Sequence, residues 1–183
     1  MMNRSKLIHI LRAVASVSNE SKFVLVGSAS VLLNSKNIPA DMLNTDEIDV
    51  YSPESSDEEW FSDLIFGSIG KGSIFANTFS YYADGVSSKT ATMPTDWRDR
   101  AKDIENIGLP DITVTVPDIN DIAIAKMFAW RDKDKIWLMA GVRSLIVKPK
   151  LMEARLPLLP DTDTPRSEMD RRMQVVFSYG GPA

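Results

Sequence analysis

Phe23-Val24-Leu25-Val26 is a continuous apolar run that ends at Gly27-Ser28, and it limits the possible folds more than any other segment of the chain. A run this short, rich in β-branched residues and closed by glycine, reads as a buried strand. Residues 29–33 then look helical, so the segment is strand, tight turn, helix. Upstream, Leu7, Ile10, Leu11, Val14 and Val17 recur at helical spacing behind a Ser5 cap candidate, which predicts an amphipathic helix ending near Asn19. Its apolar face needs a sheet to cover. Downstream, Glu47-Ile48-Asp49-Val50-Tyr51 alternates polar and apolar as a half-buried strand does, and Pro53 closes it. Asp57-Glu58-Glu59 puts acid in the first turn of a helix carrying Trp60, Phe61, Leu64 and Ile65, broken by Gly67, Gly70 and Gly72.

The second half reads more coarsely. Phe79 to Val86 and Thr90 to Met93 have strand composition around Asp84-Gly85, a pair suited to a hairpin turn. A short helix is expected over Trp97 to Ile104, and a strand over Ile112 to Val116 ended by Pro117. Asp118 caps a helix to about Arg131, followed through a kink by Asp134 to Val142 and then by Pro149 to Leu156. Pro157 and Pro160 end that body, and residues 161–165 lead into a last helix from Arg166 to about Val176. The expectation is one compact α/β (α+β) domain: residues 1–116 as core, 117–160 as helices packed on it, and 161–183 as linker and terminal helix.

Composition narrows the chemistry. The 183 residues include no cysteine and one histidine, which removes disulfides, thiolate catalysis, cysteine-held zinc and iron–sulfur centres and His-rich metal sites. A Ser-His-Asp triad would have to use His9. What remains is the chemistry of carboxylates, lysine, hydroxyls and hard metal ions. Acidic residues outnumber basic ones by 25 to 21, so no global positive field holds a nucleic acid backbone. Arg143, Lys148, Lys150 and Arg155, with Arg166, Arg171 and Arg172, form the one candidate basic surface, though solvated helix faces explain them more simply. The first helix is interrupted by His9 and Arg12, unlike a signal peptide, and no stretch of about 18 apolar residues occurs. A cytoplasmic protein without membrane contact is expected.

Three signals carry chemistry. Gly27-Ser28 lies between a strand and a helix, where glycine permits a tight turn and free backbone N–H groups can hold a phosphate. Such turns are also common without any ligand. Glu47 and Asp49 stand at i and i+2 of a strand and so project from the same face. Two adjacent carboxylates repel unless a cation joins them, and magnesium accepts one or two carboxylates beside water and phosphate oxygens; solvated acids on an edge strand are the plain alternative. Between Ile122 and Trp130 only Lys126 is polar, in line with Ile119, Ile122 and Ala129. A lysine in a helix apolar all round must snorkel, pair with an acid or point into a polar cleft. Arg131, Asp132, Lys133 and Asp134 follow at once and supply a pairing acid or a second substrate contact.

Strand, Gly-Ser, helix and acid-x-acid on the next strand resemble the opening of the nucleotidyltransferase superfamily that includes DNA polymerase beta. The stretch from Phe75 to Leu156 is similar to a bacterial family of nucleotidyltransferase-like proteins related to abortive-infection toxins. The residues carrying that likeness are Tyr81-Tyr82-Ala83-Asp84-Gly85-Val86, Thr90-Ala91-Thr92-Met93-Pro94, Trp97-Arg98-Asp99-Arg100, and Lys126 with residues 131–134. The resemblance implies a mixed β-sheet flanked by helices, with a helical C-terminal part. It implies Gly27 and Ser28 as the nucleotide-phosphate turn, Glu47 and Asp49 as ligands of Mg2+ or Mn2+, Lys126 as a triphosphate contact and Asp134 as its partner beside the site. Asp84 is a candidate third acid, against which stands the hairpin turn that Asp-Gly suits. The chain departs from the pattern in carrying Glu47 where aspartate is usual, and Ala76-Asn77 where relatives carry histidine and glutamate. The activity implied is transfer of a nucleoside monophosphate from a nucleoside triphosphate to an acceptor hydroxyl, with Asp49 as the group that activates it. A toxin acting on tRNA or protein beside a cognate antitoxin, and an interaction protein with weakened catalysis, are the alternatives. His9 receives no role, and the Trp and Met residues are expected in packing positions rather than under bases.

Overall fold

A computed structural model describes residues 1–105, 107, 108 and 110–180. The chain forms a five-stranded mixed sheet with helices on both faces. Helix α1 spans Arg4–Ser18, capped by the Asn3 side chain rather than by Ser5, and leads to β1, Lys22–Val26. A 3-10 turn, Ser28–Ser30, runs into the four-residue helix α2, Val31–Asn34, and then to β2, Glu47–Tyr51. Helices α3, Glu58–Ile69, and α4, Ile74–Phe79, precede β3, Tyr82–Gly85. Next come a 3-10 turn over Trp97–Arg100, β4 at Lys102–Glu105 and β5 at Thr113–Val116. The C-terminal part is helical: α5 Ile119–Ala129, α6 Asp132–Arg143, α7 Pro149–Arg155 and α8 Arg166–Ser178.

Strand order is β3-β2-β1-β5-β4, with β1 antiparallel to β2 and parallel to β5. The period of two in β1 sorts the two cores. Phe23 and Leu25 pack with Ile48, Val50, Phe61 and Ile65 on the α1/α3 side. Val24 and Val26 pack with Ile122, Ala123 and Met127 of α5 and Trp137 of α6 on the other. Because Ile48 and Val50 face α1 and α3, the alternating Glu47 and Asp49 must face α5 and α6. Helix α5 is buried nearly all round, as its composition requires.

Several expectations are corrected. Asp84-Gly85 is no hairpin turn: it lies within β3, which pairs parallel with β2 across the α3–α4 crossover, and Asp84 stands opposite Asp49. Parallel strands need such a crossover, so the local turn signal is overridden. Residues 90–93 form no strand. Trp97–Arg100 is a single 3-10 turn and the strand β4 follows it, where one helix to Ile104 was expected. Trp60, expected in packing, is 52% exposed. The Gly180-Gly181 end of the last helix lies partly outside the described residues, and α8 reaches Ser178.

Candidate active site

Gly27 sits at the end of β1 with φ of 68°, a conformation that costs other residues strain. The register places Val26 opposite Asp49, and a Cβ on Gly27 would lie 1.8 Å from Asp49 Oδ2. Glycine is therefore what lets the turn close over the carboxylate. The helix that follows is too short to develop a large dipole, so any anion held here would rest on the turn's own groups rather than on a macrodipole.

From the opposite wall, Lys126 is 6% exposed and neither snorkels nor lies idle. Its Nζ donates to Ser28 Oγ at 2.9 Å and to Asp134 Oδ1 at 3.1 Å. That meeting depends on the break between α5 and α6: Trp130 takes a left-handed φ of 56° and Arg131 is extended, which brings the last turn of α5 against the first turn of α6. Asp134 is fully buried and also accepts from Arg131 Nε at 2.7 Å and from the Arg131 backbone N–H at 3.2 Å. Burial works against its charge, but the bonds from Arg131 and Lys126 prevail and hold its carboxyl below the usual range. Burial pulls the Lys126 ammonium down, with Asp134 opposing.

The two strand carboxylates differ. Glu47 accepts from Tyr82 Oη at 2.8 Å and from Lys133 Nζ at 3.1 Å, and these bonds overcome its partial burial to keep it below the ordinary glutamate value. Among the described residues no hydrogen-bond donor reaches the Asp49 side chain. Burial, then the neighbouring charge of Glu47, pushes its pKa up to about 6. Asp84 is raised in the same way, by burial and by Glu47.

Two clefts meet at this point. One of about 80 Å3 is lined by Gly27, Ser28, Glu47, Asp49, Lys126 and Arg131, with Thr90 and Ala91 at its rim. A second, of about 340 Å3, shares Ser28, Glu47 and Lys133 and adds Asn44, Tyr82 and Trp137. The Trp137 indole N–H is buried without a hydrogen-bond partner among the described residues. Ala76 and Asn77 lie on α4 and line neither cleft, so that departure does not alter these walls. All six residues singled out from the sequence, Gly27, Ser28, Glu47, Asp49, Lys126 and Asp134, gather here. Tyr82 had no assigned role, although its place two residues before Asp84 in a strand was a usable signal.

The donor set can be tested against a cation. A half-buried carboxyl with no hydrogen-bond donor among the described residues, beside a second carboxylate, suits a hard ion that takes one or two protein oxygens and fills its shell with water and phosphate. Among the described residues no group of three or more His, Cys, Asp or Glu side chains is placed to hold a metal. Elsewhere, His9 Nδ1 lies 2.7 Å from Tyr81 Oη in an aromatic cluster with Phe75 and Phe79. It is a packing residue.

A mixed sheet that sets a Gly-Ser turn on one strand against two acids on its neighbour, with helices on both faces, has the nucleotidyltransferase type of α+β architecture. A family model described as nucleotidyltransferase of unknown function (DUF6036) matches residues 5–174, and the chain belongs to that family. Neither curated proteins nor solved structures gave a match. No helix among the described residues is long and apolar enough to cross a membrane.

Proposed function

We propose that the protein transfers a nucleoside monophosphate from a nucleoside triphosphate to an acceptor hydroxyl, releasing pyrophosphate, with Mg2+ or Mn2+ held by Glu47 and Asp49. The observation that carries this is the convergence of Gly27-Ser28, Glu47–Asp49 and Lys126 in one cleft, Lys126 bonding to a serine 98 positions away. When bound, the cation supplies charge neutralisation at the phosphates. Lys126 and Arg131 bring fixed positive charge to the same wall, pre-oriented by the buried Asp134, so little reorganisation is needed as charge shifts onto the leaving pyrophosphate. Asp49, in the same cleft and with no hydrogen-bond donor on its side chain among the described residues, is the carboxylate to take the acceptor's proton as the acceptor oxygen attacks the α-phosphorus and the bond to pyrophosphate breaks.

Calorimetric titration of Mg2+ and each nucleoside triphosphate tests the proposal: wild type binds and Asp49→Ala does not. No binding to wild type, or equal binding to Asp49→Ala, overturns it.

The acceptor is the finer question. Arg155 is taken up by Asp118 and Asp121, Arg166 by Asp170, and Arg171 and Arg172 by Glu168. That leaves Arg143, Lys148 and Lys150 of the basic surface for a polynucleotide such as tRNA. Growth arrest on expression, abolished by Asp49→Ala, is the result expected of a toxin modifying tRNA or protein and restrained by an antitoxin; unaffected growth removes that reading. A second reading, the fold kept for interaction without turnover, is favoured by Glu47, whose two oxygens are already engaged by Tyr82 and Lys133. Incorporation of labelled nucleotide into any acceptor eliminates it.

A further inference from the structure

Glu47 and Asp49 project from one strand face into one cleft, yet only Glu47 is neutralised there. Tyr82 Oη takes Oε2 and Lys133 Nζ takes Oε1, so both oxygens of the more accessible acid are occupied. Lys133 is not fixed in that place. Its side chain is 58% exposed, and it stands in the first turn of α6 with no second anchor among the described residues. A solvated ammonium of this kind is held weakly and released at low cost. Its position is nonetheless special, because the Lys133–Glu47 pair lines both the cleft of about 80 Å3 and the cleft of about 340 Å3. The smaller cleft alone is below the few hundred Å3 typical of small-molecule sites, whereas the larger one falls at the low end of that range.

We propose that Lys133 is a resident counter-ion: it neutralises Glu47 until a divalent cation takes that carboxylate, and the freed ammonium then binds the phosphate chain arriving with the cation. The proposal rests on the reading of Glu47 and Asp49 as metal ligands. Its physical basis is that an ammonium and a divalent cation repel and compete for the same oxygen. A cation arriving alone displaces Lys133 and leaves it without a partner. A cation arriving with a triphosphate gives the displaced ammonium a stronger anion than the one it left, beside Lys126 and Arg131. Cation and nucleotide therefore raise each other's affinity, and beyond their direct phosphate contact a share of that coupling runs through this side chain.

The test is Mn2+ binding to the full chain, followed by the electron paramagnetic resonance of free Mn2+, with and without a non-hydrolysable nucleoside triphosphate analogue. Wild type should bind Mn2+ weakly alone and about tenfold or more tightly with the analogue, a size usual for coupled sites. Lys133→Met should bind Mn2+ alone more tightly than wild type, by about fivefold or more, and show a correspondingly smaller gain from the analogue. Lys133→Arg should retain the wild-type pattern because it keeps the charge, and Lys133→Gln stands in should the methionine variant fail to fold. Equal Mn2+ affinity in wild type and Lys133→Met, or an undiminished gain from the analogue, overturns the counter-ion role and leaves the metal site standing. Failure of every folded variant to bind Mn2+ overturns the metal site and this proposal together.

Discussion

Gly27 shows how a single residue can hold a site together. Any larger side chain there meets both a left-handed backbone and Asp49 Oδ2 at 1.8 Å. Gly27→Ala should therefore lower stability by about 1–3 kcal/mol, the cost of one strained backbone position, and should also weaken Mg2+ binding because the displaced group is a proposed ligand. An unchanged melting temperature would show that the turn relaxes freely. Asp134 makes a different case, since it is fully buried between Lys126 and Arg131. Asp134→Ala leaves the buried Lys126 ammonium unpaired and should cost about 3–5 kcal/mol by urea unfolding, whereas Asp134→Asn, which still accepts, should cost less. Glu47, Asp49 and Lys126 were legible in the sequence because the period of a strand and the polarity of a helix are local facts. Tyr82 and Lys133 were visible only as a position two residues before Asp84 and as one of a polar run after Lys126; their bonds to Glu47 were not legible, because both depend on the β2–β3 register and the α5–α6 break, which no local pattern encodes.

At the scale of elements, the tryptophan-arginine block that marks the family likeness has a structural meaning. Arg100, at the end of its 3-10 turn, bonds both Asp96 oxygens at 2.6 and 2.8 Å and both Asp121 oxygens at 3.0 and 3.1 Å. Arg155 of α7 reaches the same Asp121 at 3.0 Å and Asp118 at 2.5 Å. Asp121 is fully buried on α5, so one carboxylate ties the segment before β4 and helix α7 to the helix that carries Lys126. Replacing it with alanine takes one of two acidic partners from each guanidinium, Asp96 and Asp118 remaining, and should cost about 1–3 kcal/mol; a loss below about 1 kcal/mol, the range of an exposed pair, would mean that water reaches the network. Strands β1, β2 and β5 and helices α1, α3 and α5 were readable because each is long or patterned enough to show its period. Of the edge strands, β3 was read as strand but with a hairpin turn in place of its parallel pairing, and β4 was read as helix. β3 and β4 have four residues each, and Asp84-Gly85 carries a turn signal that the parallel partner overrides. Helix α4 escaped notice because six residues behind Gly70 and Gly72 have no room for periodicity.

The whole molecule places an acid it does not neutralise between its sheet and its C-terminal helices, and the consequence is measurable in global stability. Folding raises the Asp49 pKa from 3.8 to about 6, chiefly by burial and then by Glu47. The folded state thus holds a proton that the unfolded chain has already released between those values. Stability contributed by this group is present at low pH, falls as pH rises through about 4 to 6, and stays lost above that window. Glu47 and Asp134 shift downward and act with the opposite sign, so total stability does not isolate Asp49, but a difference between two variants does. In chelator-treated buffer Asp49→Asn should be more stable than wild type by about 1–3 kcal/mol at pH 7.5 and equal to it near pH 4, given about 1.4 kcal/mol per pKa unit. Saturating Mg2+ should then raise the melting temperature of wild type and not of the variant, because a ligand stabilises only the state that binds it. An Asp49→Asn protein less stable than wild type at pH 7.5 would mean that Asp49 is satisfied within the fold, and the case for a cation at this site would lose its electrostatic basis.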